Sequence, residues 1–460
     1  MLVLPLAITW IGAVALALMD GRRTRVGVSA VLCVGASFAA TLWLAIDVLT
    51  NGPRRSVAGG WEAGVGIVLR ADALGVTFAV LSTGVVLVAL LFEVLARVRS
   101  RSFPALTLFL VTGLNGVFLT GDAFNFYVFF EIAMISAYIL TSYGEERRQF
   151  RAAAIFAIVN LLGSVLFLIS IAALYHITGR LDMEGIASRM ATVSGQSAIL
   201  TSALIFVAFG IKLGLFPFHF WLASVYTGTR PTVAAILSGA LANIGSYGLL
   251  RFGGEMLPRE LDQAAPALFV LGTLSIIYGA IQALSRRSIA EVLAYSSIGQ
   301  IGYILLALGI GGQAGFAAAI LFAIVNSMNK TLLFLSENLR GWLVGATFVI
   351  GAFSVTGLPP AAGFIAKASL FRASIEDGNV ALVALIFAGG VLSFVYMFQI
   401  YQRRFWVVHP DQNAAVVASP IQQRLLMLFI GILVILFGVW PEPLLRLSDR
   451  AAAVLTGGST

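Results

Sequence analysis

Three of the 29 basic residues in this 460-residue chain are lysines, Lys212, Lys330 and Lys367, and the other 26 are arginines. Each lysine lies inside or at the end of an apolar stretch long enough to cross a bilayer. Arginine keeps its proton at any accessible pH, whereas a desolvated lysine can release and rebind one. Fixed charge therefore goes mostly to the connections and exchangeable charge to the apolar stretches. A charged side chain at mid-membrane costs roughly 2.5 to 3.5 kcal/mol on insertion scales, so its default reading is functional. The residue types point to a conductor of protons or cations.

The elements that must hold these lysines are membrane helices. Apolar residues make up 59% of the chain and charged residues 11%, and the mean hydropathy is +0.97, which excludes a soluble domain. Apolar windows predict fourteen spans, at about 2–18, 26–48, 72–96, 103–120, 123–142, 152–177, 198–222, 231–253, 265–284, 289–309, 316–337, 342–371, 381–402 and 423–440. The first lacks a basic flank and a cleavage pattern and reads as a retained helix. Sixteen arginines fall in connections after odd-numbered spans and ten elsewhere, which predicts both termini outside. The net charge of +8 is spread over short connections and is no nucleic-acid footprint. A lone Cys33 excludes a disulfide framework and any cysteine-held cluster built from this chain alone. No phosphate loop, metal-ligand cluster or Ser-His-Asp constellation stands out, and Gly309-Ile-Gly-Gly joins two spans with no strand before it. No cofactor is expected, and any redox step belongs to partner subunits.

Two spans are broken next to a lysine. Pro217, in Lys212-Leu-Gly-Leu-Phe-Pro, frees the Leu213 carbonyl; Pro359 and Pro360, before Lys367, free those of Val355 and Thr356. Backbone freed at membrane depth must face protein or water. The breaks fall in spans 7 and 12, five apart, as two inverted five-helix repeats would place them. The expected organisation is an all-α polytopic protein with an N-terminal three-helix segment (1–100), two repeats (101–258 and 259–410), and a C-terminal helix and tail (411–460).

Gly121-Asp-Ala-Phe-Asn-Phe-Tyr-Val-Phe-Phe-Glu131, Phe216-Pro-Phe-His-Phe-Trp-Leu222, Ala294-Tyr-Ser-Ser-Ile-Gly-Gln-Ile-Gly-Tyr303, Lys330-Thr-Leu-Leu-Phe-Leu335 and Gly357-Leu-Pro-Pro resemble, in order, the motifs of the D-type subunit of Mrp-type multisubunit cation/proton antiporters. The antiporter-like membrane subunits of respiratory complex I are similar but less close. Gln300, where those subunits often carry histidine, and a tail of about 20 residues lean toward the Mrp branch. The resemblance implies a proton path in which Glu131 pairs with Lys212 and a polar line runs through Lys330 to Lys367. It implies other membrane subunits of the assembly, lipid, protons and monovalent cations, sodium among them, as partners, and a bacterial-type inner (plasma) membrane.

The chain departs from that pattern at Asn243, where the family usually has lysine, and at Asn326, where relatives often carry histidine or aspartate. Asparagine holds no proton at neutral pH. Asn243 reads either as helix-to-helix glue or as a water-holding site. Glu131 lies about 12 Å from either end of its helix, too deep to snorkel, and reads as a switch for Lys212 or as half of a structural ion pair. Tyr127 and Tyr138 share its face as polar lining or packing. Lys330 either conducts or snorkels, and His219 relays or is structural; His176 and His409 are given no role. The leading expectation is a sodium/proton antiporter subunit. The alternatives are a proton-translocating subunit of a complex I-like NADH dehydrogenase or hydrogenase, and a non-conducting scaffold.

Overall fold

A computed structural model describes residues 1–60, 66–193, 195–406 and 420–457; His409 lies outside them. Apolar helices follow one another along the chain: α1 (Leu4–Ala17), α2 (Thr24–Asn51), α3 (Ala73–Leu95), α4 (Phe103–Phe118), α5 (Ala123–Thr141), α6 (Arg147–Thr178), α7a (Gln196–Leu213) with α7b (Leu222–Gly228), α8 (Pro231–Met256), α9 (Pro258–Ser285), α10 (Ile289–Ile310), α11 (Gly312–Leu335), α12a (Trp342–Thr356) with α12b (Ala362–Glu376), α13 (Val380–Trp406) and α14 (Ile421–Val439). Among the described residues eleven of these spans are long and apolar enough to cross a membrane, and α1, α4 and α12a are shorter apolar helices. The fold is all-α and polytopic. The helix tally agrees with the sequence pattern, because at about 1.5 Å per residue the bilayer fixes the length of each apolar run.

Three helices form the centre. In their apolar windows 94% of α8, 83% of α10 and 89% of α11 is buried, against 33% for α13 and 28% for α14. These carry Asn243, Gln300 and Lys330, so the polar residues occupy the most enclosed helices rather than a lipid-facing one.

The two breaks are built alike. The Gly214 amide donates to the Ile211 carbonyl at 3.1 Å and the Leu215 amide to that of Gly210 at 3.3 Å, and Gly357 and Leu358 repeat the pattern onto Ser354 (3.2 Å) and Phe353 (2.9 Å). Both are Schellman caps, and both need the left-handed backbone that Gly214 (φ 68°) and Gly357 (φ 82°) supply. The span expected as 342–371 is therefore two helices. After the second break α12b lies backbone-on-backbone against α12a, with the Gly363 amide donating to Ser354 Oγ at 3.0 Å.

Three features were not legible beforehand. α8 widens into π-turns at Leu237–Leu241 and Leu249–Met256, on either side of Asn243; such bulges often accompany functional sites. The tail folds as an amphipathic helix, α15 (Glu442–Ala453), against α3 and α11. An antiparallel hairpin, β1 (Arg54–Val57) with β2 (Val68–Ala71), joins α2 to α3. Next to it Arg251, 2% exposed, binds Asp72 (2.8 Å) and Glu255 (2.5 Å), and Arg70 binds the same two carboxylates at 2.9 and 2.5 Å. Burial alone would raise Asp72, but Arg251 and Arg70 outweigh it and hold the carboxyl at about 2. This closed square of charge ties α8 to the N-terminal helices.

A Cβ on Gly363 would fall on the Ser354 carbonyl, whereas one on Gly35 would meet nothing within 4 Å. Gly363→Ala is therefore expected to destabilise the protein by about 1 to 3 kcal/mol through overpacking, and Gly35→Ala to leave stability intact. Thermal unfolding of the two variants in detergent checks this.

Candidate functional site

All eleven ion pairs among the described residues are made by arginine, and none by lysine. Yet Lys212, Lys330 and Lys367 are each buried, with Lys330 at 0% exposure. Their ammonium groups rest on neutral ligands. Lys367 Nζ donates to the Thr356 carbonyl at 2.8 Å, one of the oxygens that the double-proline break was expected to free. Lys330 Nζ donates to the Leu293 carbonyl and to Ser296 Oγ, both at 3.1 Å. It points inward across α10 and does not snorkel. Lys212 Nζ contacts Met134 Sδ and lies 5.8 and 5.4 Å from the ring centres of Phe130 and Phe156.

The direct Glu131–Lys212 ion pair is not made. Glu131 accepts a hydrogen bond from Ser164 Oγ on α6, and Lys212 turns to Met134, one turn further along α5. The physical reason is Ser164, a neutral donor that solvates the carboxylate without fixing the lysine. The two charges still face each other closely enough to interact. Tyr138 packs edge-on against Phe156 at 5.1 Å, and its buried hydroxyl has no partner. Tyr127 lies against Phe124 and Phe167 at 6.3 and 6.4 Å.

From Lys330 a line of hydroxyls runs onto α13. Tyr396 Oη lies 3.1 Å from Ser296 Oγ and 3.1 Å from Ser393 Oγ, and Ser393 donates to the Gly389 carbonyl at 2.7 Å. One proton per hydroxyl satisfies the whole run: Lys330 to Ser296, Ser296 to Tyr396, Tyr396 to Ser393, Ser393 to Gly389. Gly390, next to that carbonyl, faces the last lysine, since a Cβ there would lie 3.3 Å from Lys367 Nζ. A cavity of about 10 Å³ also borders Lys367, with Gln300, Asn326, Asn329 and Ser354 in its lining. The Oδ1 atoms of Asn326 and Asn329 have no protein partner. A polar space of this size suits one water molecule. On its other side Lys367 borders a largely apolar recess of about 490 Å³ between α12b and α13.

Asn243 stands between the two halves, and its hydrogen bonds are spent. Its Nδ2 donates to Ser82 Oγ (3.1 Å) and to the Gly239 carbonyl (3.0 Å), and its Oδ1 accepts from Ser327 Oγ (3.0 Å). It thus binds α3, α8 and α11 together, the glue arrangement. His219 is not brought to the lysines: its ring stacks on Phe216 at 5.4 Å and meets Tyr278 at 4.2 Å, with Nδ1 unpartnered. Sequence reasoning missed Ser164, Ser296, Ser327, Asn329, Ser393 and Tyr396. A buried serine on a membrane helix usually bonds its own backbone, so nothing in the spacing of the serines set them apart.

Residues 120–341 match the family described as "NADH:quinone oxidoreductase/Mrp antiporter, TM". The D-type subunit of the Na(+)/H(+) antiporter of Alkalihalophilus pseudofirmus is 30% identical, over 98% of this chain and 96% of that protein. The chain belongs to the family of Mrp antiporter D-type subunits. Its fold is also that of a chain in the Mrp complex from Dietzia sp. DQ12-45-1b, with TM-score 0.89 and 24% identity over 98% of this chain and 97% of that one. A chain of the membrane-bound sulfane sulfur reductase, an archaeal respiratory membrane complex, gives TM-score 0.90 and 24% identity over 99% and 98%.

With its donors satisfied and its side chain 4% exposed, Asn243 leaves no room for an ammonium. Asn243→Lys is expected to cost roughly 3 kcal/mol as an unpaired buried charge and to lower the yield of assembled complex, read by co-purification of its subunits. Full assembly with raised transport would instead mean that the site hydrates.

Proposed function

We propose that this chain is a proton-conducting membrane subunit of a multisubunit antiporter that exchanges protons for a monovalent cation, sodium in the first instance. The observation that carries the reading is the set of three buried lysines whose ammonium groups contact neutral ligands and form no ion pair among the described residues, with Glu131 near Lys212 but bonded elsewhere. A permanent buried charge is normally paired, as buried Arg251 is here, whereas an unpaired lysine has an uncharged form available. Glu131 acts as the switch in the first half: when its carboxylate leaves Ser164 for Lys212 it holds the ammonium, and when it withdraws the proton is released. In the second half Lys330 hands protons to Ser296 and Tyr396, and a water held by Gln300, Asn326 and Asn329 passes them to Lys367. Asn243, with no free donor, divides the line into two proton-holding stations. They correspond to the two repeats of residues 101–258 and 259–410. The arginine distribution supports both termini outside in a bacterial plasma membrane.

Lys212→Ala is expected to abolish pH-gradient formation by the assembled complex in vesicles without loss of assembly. Failure to assemble would favour a structural lysine. Lys367→Arg conserves charge but holds its proton, and is expected to lower transport on the order of 100-fold, in the range of a lost proton-transfer group. Wild-type rates in that variant would show that the position needs only positive charge.

A further inference from the structure

A cavity of about 380 Å³ opens where the ends of α11 and α13 meet the start of α10, lined by Arg287, Ser288, Ile289, Glu337, Asn338, Ile400, Arg403 and Arg404. Glu337 sits on the turn that ends α11, its amide bonded to the Phe334 carbonyl at 3.1 Å. Among the described residues its carboxylate forms no ion pair within 4.0 Å. All three helices lead from this cavity to one place. Ile289 is one turn from Leu293, whose carbonyl accepts from Lys330. Ile400 is one turn from Tyr396, which bonds the Ser296 hydroxyl that Lys330 also touches. Glu337 is seven residues from Lys330 on its own helix, about 10 Å along the axis. The floor, closed by buried Ile289 and Ile400, is about one turn thick.

We propose that this cavity is the vestibule through which protons reach Lys330 from the arginine-rich face, and that Glu337 is the group that captures them. The carboxylate takes a proton from water in the vestibule, and when the floor wets it passes that proton to the Nζ lone pair of neutral Lys330; the ammonium forms and the carboxylate is restored. Among the described residues, the charges that act on Glu337 are those of Arg404 from α13 and Arg148 from α6, the latter also paired with Glu146 at 2.8 Å, while Arg403 and Arg287 line the same cavity. Such a cluster repels a hydrated metal cation, yet a carboxyl group can still hand on protons one at a time, so the mouth selects protons over the cation exchanged. Burial pushes Glu337 up to about 7 against the opposing pull of Arg404 and Arg148, so it gains and loses protons in the working range. The inference rests on Lys330 carrying protons.

The test uses the assembled complex in vesicles. Glu337→Gln keeps shape and removes the exchangeable proton; it is expected to slow proton transport on the order of 100-fold and to erase the change in rate near pH 7, while Glu337→Asp restores both. A second arm is independent of folding: N338C on a C33S background is labelled after assembly with a positively charged thiol reagent. Transport is expected to fall on labelling and to recover when a reductant removes the label. Wild-type rates and pH profile in Glu337→Gln, or full transport after complete labelling, overturn the vestibule. If Lys330→Ala abolishes transport in the same assay, the lysine line stands without it; if Lys330→Ala is also silent, both fall.

Discussion

An ammonium group inside a membrane protein must be solvated by something, and in this chain the solvent is backbone. Lys367 rests on the Thr356 carbonyl, which is free because α12 stops at Gly357 and restarts at Ala362. Lys330 rests on the Leu293 carbonyl and a serine hydroxyl of α10. Neutral dipoles stabilise the charged form enough for it to exist, and they cost little when the proton leaves. A carboxylate in contact would fix the charge in place. The breaks, the close approach of α12b to α12a and the burial of α8, α10 and α11 all serve this balance.

Arginine takes the opposite role in the same fold. The square of Arg70, Asp72, Arg251 and Glu255 pins α8 to the hairpin and α3 with paired, permanent charge. At the other end of α3, buried Glu93 accepts from Tyr143 (2.5 Å) and Thr232 (2.7 Å), with Arg230 at 3.9 Å. Both ends of α3 and α8 are thus held by fixed charges. Between them lie groups that are neutral, hydroxylic or exchangeable.

The two halves of the line differ in finish. The second has a run of hydroxyls that starts at Lys330 and a polar cavity beside Lys367, whereas in the first Glu131 and Lys212 each hold a different neutral partner. Asn243 joins α3, α8 and α11 where the halves meet, and α11 also carries Lys330.

The sequence by itself determined the membrane class, the fourteen spans, the two breaks and the division between lysine and arginine. Each follows from a local rule: bilayer thickness sets the length of an apolar run, proline removes a donor, and burial of a lone charge is costly wherever it occurs. Glu131, Lys212, Lys330, Lys367, Gln300 and Asn326 were legible by type and motif. Only the tertiary structure decided what each of them touches. Serine and tyrosine are common on membrane helices, and whether Ser296 meets Tyr396 from a helix 100 residues away depends on rotation and depth that no local pattern encodes. The same holds for Ser164 donating to Glu131, for Asn243 spending its bonds on Ser82 and Ser327, and for Glu337, an ordinary loop acid until three helix ends enclose it.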